Sequence, residues 1–163
     1  MSYRQSKAKT ARIRTAWEYA LSVLSRSGKS MQEMQQKLKQ KGYAEQDIAA
    51  TLEKLIKLNY LNDIEMTRQT VARLSKKSNR VIRQKLIQKG LATDYREDII
   101  AELESEESRA RILCEKKMKN LTTVDSRQCF QKLIGILMRA GFPFSLSRQV
   151  VKSVLKTEVD DYD

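Results

Sequence analysis

The sequence predicts an all-α protein made of three tandem three-helix repeats that form a curved, elongated array. Three observations carry this expectation. Helix-favouring residues dominate the chain, while Pro occurs once and Gly five times, too few turn formers for a many-stranded fold. Apolar residues recur at helical spacing in segment after segment. One local pattern, an apolar residue four before a glycine and another directly after it, appears three times, about fifty residues apart.

The first repeat is expected over residues 10–59. Its opening helix, over 10–26, carries Ile13, Trp17, Ala20, Leu21 and Leu24 inward. Ser30 and Glu33 form a capping box at the start of the next helix. That helix ends in Leu38-Lys39-Gln40-Lys41-Gly42-Tyr43. A glycine just past a helix end adopts φ > 0 without steric cost, and the apolar residue after it folds back over the last turn. Lys41 suits the negative end of the helix dipole. A third helix follows, with Ile48, Leu52, Leu55 and Ile56 inward.

The second repeat is expected over 60–104. Asp63 is placed as the cap of a helix over 64–77 with Met66, Thr70, Val71 and Leu74 inward, and Ser78 caps the next. That helix ends in Leu86-Ile87-Gln88-Lys89-Gly90-Leu91, and Asp94 caps a short helix bearing Ile99, Ile100 and Leu103. The third repeat is expected over 105–157. Ala110, Leu113, Cys114 and Met118 face inward on its first helix, and Asp125-Ser126-Arg127-Gln128 reads as a capping box. Leu137-Met138-Arg139-Ala140-Gly141-Phe142 ends the second helix, and Ser145 caps the last, which buries Val150, Val151, Val154 and Leu155. Residues 1–9 form a basic arm and 158–163 an acidic tail. Each trio buries little apolar surface alone, so neighbouring repeats are expected to stack.

Charge narrows the function. Lys plus Arg number 32 against 20 for Asp plus Glu, a formal net charge of +12, which favours a polyanionic partner. There is no His, and Cys114 and Cys129 have no metal-ligand spacing, so they read as buried free thiols and no metal or cofactor is expected. Asp and Glu residues occur in pairs, but no activated nucleophile or phosphate-cradling loop accompanies them, and no enzymatic activity is expected. The N-terminal cations Arg4, Lys7, Lys9, Arg12 and Arg14 precede no apolar run, which argues against a secretory signal. No stretch approaches the roughly 18 apolar residues of a membrane span. A cytoplasmic protein with no membrane partner is the expectation.

Two basic clusters are the candidate contacts. From Met66 to Gly90 there is no acid, and Arg68, Arg73, Lys76, Lys77, Arg80 and Arg83 stand there. On a helix over 64–77, Arg73, Lys76 and Lys77 would share one face. Arg109, Arg111, Lys116, Lys117 and Lys119 form the second cluster. Phosphates would offset the repulsion within each; a solvated face is the alternative. Trp17, Tyr19, Tyr43, Tyr60, Phe142 and Phe144 fall at core or turn positions, so base stacking is not expected. The acids Asp94, Glu97, Asp98, Glu102, Glu104, Glu106 and Glu107 gather at the join of the second and third repeats. They would face basic helices or a partner there, or simply line a solvated helix face.

Several spaced motifs resemble the RecX family. Tyr19-Ala20-Leu21 with Leu24-Ser25-Arg26 and the segment Leu38 to Tyr43 resemble its opening. Leu58-Asn59-Tyr60-Leu61-Asn62-Asp63 is similar to its "LGYLDD" turn, Arg80-Val81-Ile82-Arg83-Gln84-Lys85-Leu86 to its "RIRQEL" segment, and Leu137 to Phe142 to its closing "LLRRGF". Met66 and Lys85 depart from the family's aromatic and acidic residues at those places. The resemblance implies three tandem three-helix repeats and a regulator of the RecA recombinase. Such a protein would lie as a monomer in the groove of the RecA–single-stranded-DNA filament. There it would restrain ATPase, strand exchange and coprotease activity in DNA repair and the SOS response, touching DNA without reading its sequence. The alternative from the residues is a stand-alone nucleic-acid-binding protein with helix-turn-helix-like units.

Overall fold

The computed structural model describes residues 14–91, 95–121 and 126–160. Ile13, the arm cations before Arg14, Asp94, Asp125 and the tail after Asp160 lie outside the described residues. Among those described, the chain is all-helical: α1 (Ala16–Leu24), α2 (Met31–Gln40), α3 (Glu45–Lys57), α4 (Asp63–Arg73), α5 (Asn79–Gln88), α6 (Arg96–Ala101), α7 (Glu106–Met118), α8 (Ser126–Arg139) and α9 (Phe144–Asp160). They form three trios, each with its own apolar core. The chain divides into two compact units, Met1–Asn62 with the first trio and Asp63–Asp163 with the other two.

The glycine-ended helices close as the sequence predicts. Gly42, Gly90 and Gly141 have φ of +82°, +71° and +93°. After each, the apolar residue's N–H returns to the carbonyl of the residue five before it: Tyr43 to Leu38, Leu91 to Leu86 and Phe142 to Leu137. These are Schellman caps. A fourth has the same geometry without glycine. Asn59 has φ +57°, and Tyr60 N–H donates to the Leu55 carbonyl at 2.8 Å. Asn tolerates this conformation better than other non-glycine residues.

In the first unit, Ala16, Ala20, Met34, Leu38, Ile48, Leu52, Leu55 and Leu61 form the core. The Ser30–Glu33 capping box is present. A second box, Thr15 with Glu18, starts α1 at Ala16, so the described helix is shorter than its apolar pattern. Ile56, expected inward, is exposed, and Thr51 is buried instead. Tyr60 is also exposed, its ring edge-on to Trp17 at 6.3 Å, and Lys54 Nζ lies 4.3 Å over the Trp17 ring. Because Leu61 packs in this core, Tyr60 and Leu61 complete the first trio rather than open the second.

In the second unit, Val71, Ile82, Leu86, Leu91, Ile99 and Ile100 form one core, and α7, α8 and α9 form the other around Cys114, Leu133, Leu137, Phe142 and Val151. Both cysteines are free and buried. Ser78 caps α5, accepting from Val81 N–H, and Ser105 caps α7, accepting from Ser108 N–H. Ser145 does not cap α9: the helix already includes Phe144, and its first backbone bond runs from Ser147 N–H to the Pro143 carbonyl. Phe144, read as a core or turn residue, is exposed.

The second and third trios interlock at one corner. Ser78 N–H donates to the Ala140 carbonyl at 3.1 Å, and Asn79 N–H donates to the Glu106 carboxylate. Gly141 sits against Ser78 and Val81: a Cβ there would overlap the Val81 side chain and lie 2.6 Å from Ser78 Oγ.

Candidate nucleic-acid interface

The structure sorts the eleven cations of the two clusters into three kinds. Arg109 is the clearest departure from expectation. It is only 6% exposed, so it does not reach a partner. Its Nε donates to the Glu104 carbonyl at 2.8 Å. Nη1 donates to the carbonyls of Ser75 at 3.2 Å and Lys77 at 2.6 Å, and Nη2 to Asn79 Oδ1. Burial pushes the guanidinium pKa down, against the pull of Glu106 and Glu104. The fork-shaped group with five donors suits this task as no other side chain does. Arg109 is a tie between α7 and the α4–α5 turn.

That tie explains a second departure. The helix expected over 64–77 stops at Arg73. Residues 74–77 form a tight turn, with Ser75 N–H donating to Ala72 and Lys77 N–H to Leu74. The carbonyls of Ser75 and Lys77 turn to Arg109, and Ser78 N–H turns to Ala140. Lys76 and Lys77 therefore sit on the turn, not on a shared helical face with Arg73.

The second kind is paired. Arg68 Nη1 meets the Glu102 carboxylate at 2.7 Å, and Arg83 grips Glu97 through Nε and Nη2 at 2.8–3.1 Å. Hydrogen bonding to Arg83 holds the Glu97 carboxyl below the ordinary carboxylate pKa and raises that of Arg83. Arg111 stands 3.9 Å from Glu107 one turn back. Acids at the join of the second and third repeats thus face cations of the second unit.

The third kind is unpaired. Arg73, Lys76 and Arg80 are exposed and Lys77 half-buried, and none has an ion-pair partner among the described residues. They lie at the end of α4, on the turn and at the start of α5, one continuous stretch of chain. Lys116, Lys117 and Lys119 are exposed at the far end of α7. Lys116 is two turns beyond Arg109, about 10 Å along the helix. Among the described residues no group of three potential ligands could hold a metal ion. No described helix is long and apolar enough to cross a membrane.

Comparison with known proteins supplies the family context. Two family models match the chain: "RecX, first three-helix domain" over residues 16–55 and "RecX, third three-helix domain" over residues 104–151. Regulatory protein RecX of Clostridium botulinum (strain Eklund 17B / Type B) is 30% identical over 149 residues, covering 88% of this chain and 70% of that protein. Regulatory protein RecX of Vibrio parahaemolyticus is 33% identical over 130 residues, covering 78% and 83%. The crystal structure of RecX from Lactobacillus salivarius superposes with a TM-score of 0.67 at 22% identity, over 85% of this chain and 93% of that one. At that identity the structural likeness speaks for the fold alone.

Proposed function

Because the chain belongs to the RecX family, we propose that it is a regulatory protein that binds the RecA–single-stranded-DNA filament in its groove. There it lowers ATPase, strand-exchange and coprotease activity. The observation that carries this reading is the unpaired set Arg73, Lys76, Lys77 and Arg80. The nearby acids Glu97, Glu102 and Glu106 are already engaged by Arg83, Arg68 and the Asn79 N–H. Clustered cations without partners repel one another, and phosphates would relieve that repulsion. Lys116, Lys117 and Lys119 extend the same charge.

Phosphate contacts position a protein on DNA without reading its sequence, so binding is sequence-independent. By bridging successive recombinase protomers, the protein restrains the motions that accompany ATP turnover and blocks incoming duplex. It acts in the cytoplasm as a monomer, with no cofactor. The test is the DNA-stimulated ATPase of the host's RecA as the protein is titrated in. A fall at substoichiometric protein is expected. The triple variant R73E/K76E/R80E should need several-fold more protein for the same fall while keeping its helical content. Full ATPase activity at excess wild-type protein would overturn the function, and unchanged potency of the variant would overturn the site.

A further inference from the structure

We propose that the first repeat carries a separate phosphate-binding cleft for single-stranded nucleic acid, between the end of α1, the α1–α2 turn and the last turns of α2. The cleft measures about 440 Å³ and is lined by Arg14, Arg26, Lys29, Lys37 and Lys41, with Tyr19 on its wall and no acid among its lining residues. None of these cations belongs to the α4–α5 patch, and the cleft lies wholly within the unit Met1–Asn62.

Local structure does not account for the charge. Arg26, Lys37 and Lys41 make no side-chain hydrogen bond or ion pair with a described residue; Lys29 Nζ reaches only Ser27 Oγ, at 2.6 Å, and the Gly28 carbonyl. The acids of the two helices face other work: Glu18 accepts from Thr15 N–H and Glu33 from Ser30 N–H, each at its own helix start. The carboxyl ends of α1 and α2 border the cleft, but a helix end supplies roughly half a negative charge. Two such ends offset about one of the five cations. The rest are unbalanced, and a single phosphate needs only two or three donors.

Cations from the residue before the α1 cap (Arg14), from the α1–α2 turn (Arg26, Lys29) and from the last turn and cap of α2 (Lys37, Lys41) suit consecutive phosphates of one strand. Tyr19 is half-buried, with its ring 6.0 Å from that of Tyr43 and 5.6 Å from Lys41 Nζ. An aromatic wall beside a basic groove is the general arrangement for sequence-tolerant single-strand binding. The cleft shares its ligand class with the function proposed above and needs no recombinase.

The test uses the full chain and a labelled oligothymidylate, followed by fluorescence anisotropy across a salt series without recombinase. Three variants remove equal charge: R26Q/K37Q/K41Q in the cleft, R73Q/K76Q/R80Q in the α4–α5 patch, and K132Q/R148Q/K152Q at exposed positions of the third repeat as the control. Each single-strand phosphate contact contributes about 0.7 to the slope of log affinity against log salt, so the cleft variant should lose roughly 2 of that slope. Its low-salt affinity should fall at least about tenfold, a loss of ~1.4 kcal/mol, well beyond the control. A cleft variant that tracks the control would overturn the proposal. So would displacement of the oligonucleotide by millimolar inorganic phosphate at constant ionic strength, which would mark a small-anion site. A loss confined to the patch variant overturns the cleft and leaves the α4–α5 site standing; a loss confined to the cleft variant does the reverse.

Discussion

Alanine at Gly141 separates two costs that glycine avoids at this position. The first is conformational: φ is +93°, and a left-handed conformation costs a non-glycine residue roughly 1–2 kcal/mol. The second is steric: the new Cβ would overlap Val81 and crowd Ser78 Oγ at 2.6 Å, and overpacking a formed core costs about 1–3 kcal/mol. Together they predict a loss of about 2–5 kcal/mol. Gly42 provides the comparison, with φ +82° and nothing within 4 Å of the place a Cβ would occupy. Gly42→Ala should therefore cost only the conformational part, about 1–2 kcal/mol. The assay is urea unfolding followed by circular dichroism, with slopes compared to confirm that the unfolded states match. Val81→Ala supplies a double-mutant cycle within the same unit. The pair G141A/V81A should be less destabilised than the sum of the singles by about 1 kcal/mol or more, because the truncated neighbour makes room. Additive losses, or a Gly141→Ala cost no larger than that of Gly42→Ala, would refute the interlock of the second and third trios.

Arg109→Met should destabilise the second unit by roughly 3 kcal/mol, since it leaves the carbonyls of Glu104, Ser75 and Lys77 without their donor; thermal unfolding reads the loss, and Arg109→Lys should recover only part of it. Cys114 is buried, and desolvation pushes its thiol pKa up to about 11 from 9.0. An acid whose pKa is raised by folding holds its proton longer in the native state, so stability falls as pH rises from about 9 to 11, by roughly 1–2 kcal/mol. Comparing urea midpoints of the wild type and Cys114→Ala over that range checks it, and a parallel decline in both would contradict the assignment. Ser147 is fully buried and its Oγ has no hydrogen-bond partner among the described residues; Ser147→Ala should be neutral or stabilising by up to about 1 kcal/mol in the same melts. Ser30→Ala should cost about 1 kcal/mol in the first unit, through loss of the bond its Oγ accepts from Glu33 N–H. The sole tryptophan, Trp17, lies in that unit and reports it by fluorescence.

What could be read without a structure was local. Helix ends at Gly42, Gly90 and Gly141, caps at Ser30 and Ser78, and the inward faces bearing Leu38, Leu86, Leu137 and Val151 all follow from residues within one or two turns of each other. Their hydrogen bonds are short-range, so neighbouring residue types suffice to specify them. Asn59 shows the limit of that reasoning, because a non-glycine at φ +57° leaves no comparably strong signal. The basic stretch around Arg73 was legible as composition, but its partition was not. Arg68 and Arg83 are matched by Glu102 and Glu97 on or beside another helix, and only folding brings them together. The tertiary structure alone decided that Arg109 is a buried tie and that α4 ends at Arg73. Both depend on donors and acceptors about thirty residues apart in the chain. Buried carbonyls must be satisfied somewhere, and periodicity does not say which distant side chain will reach them.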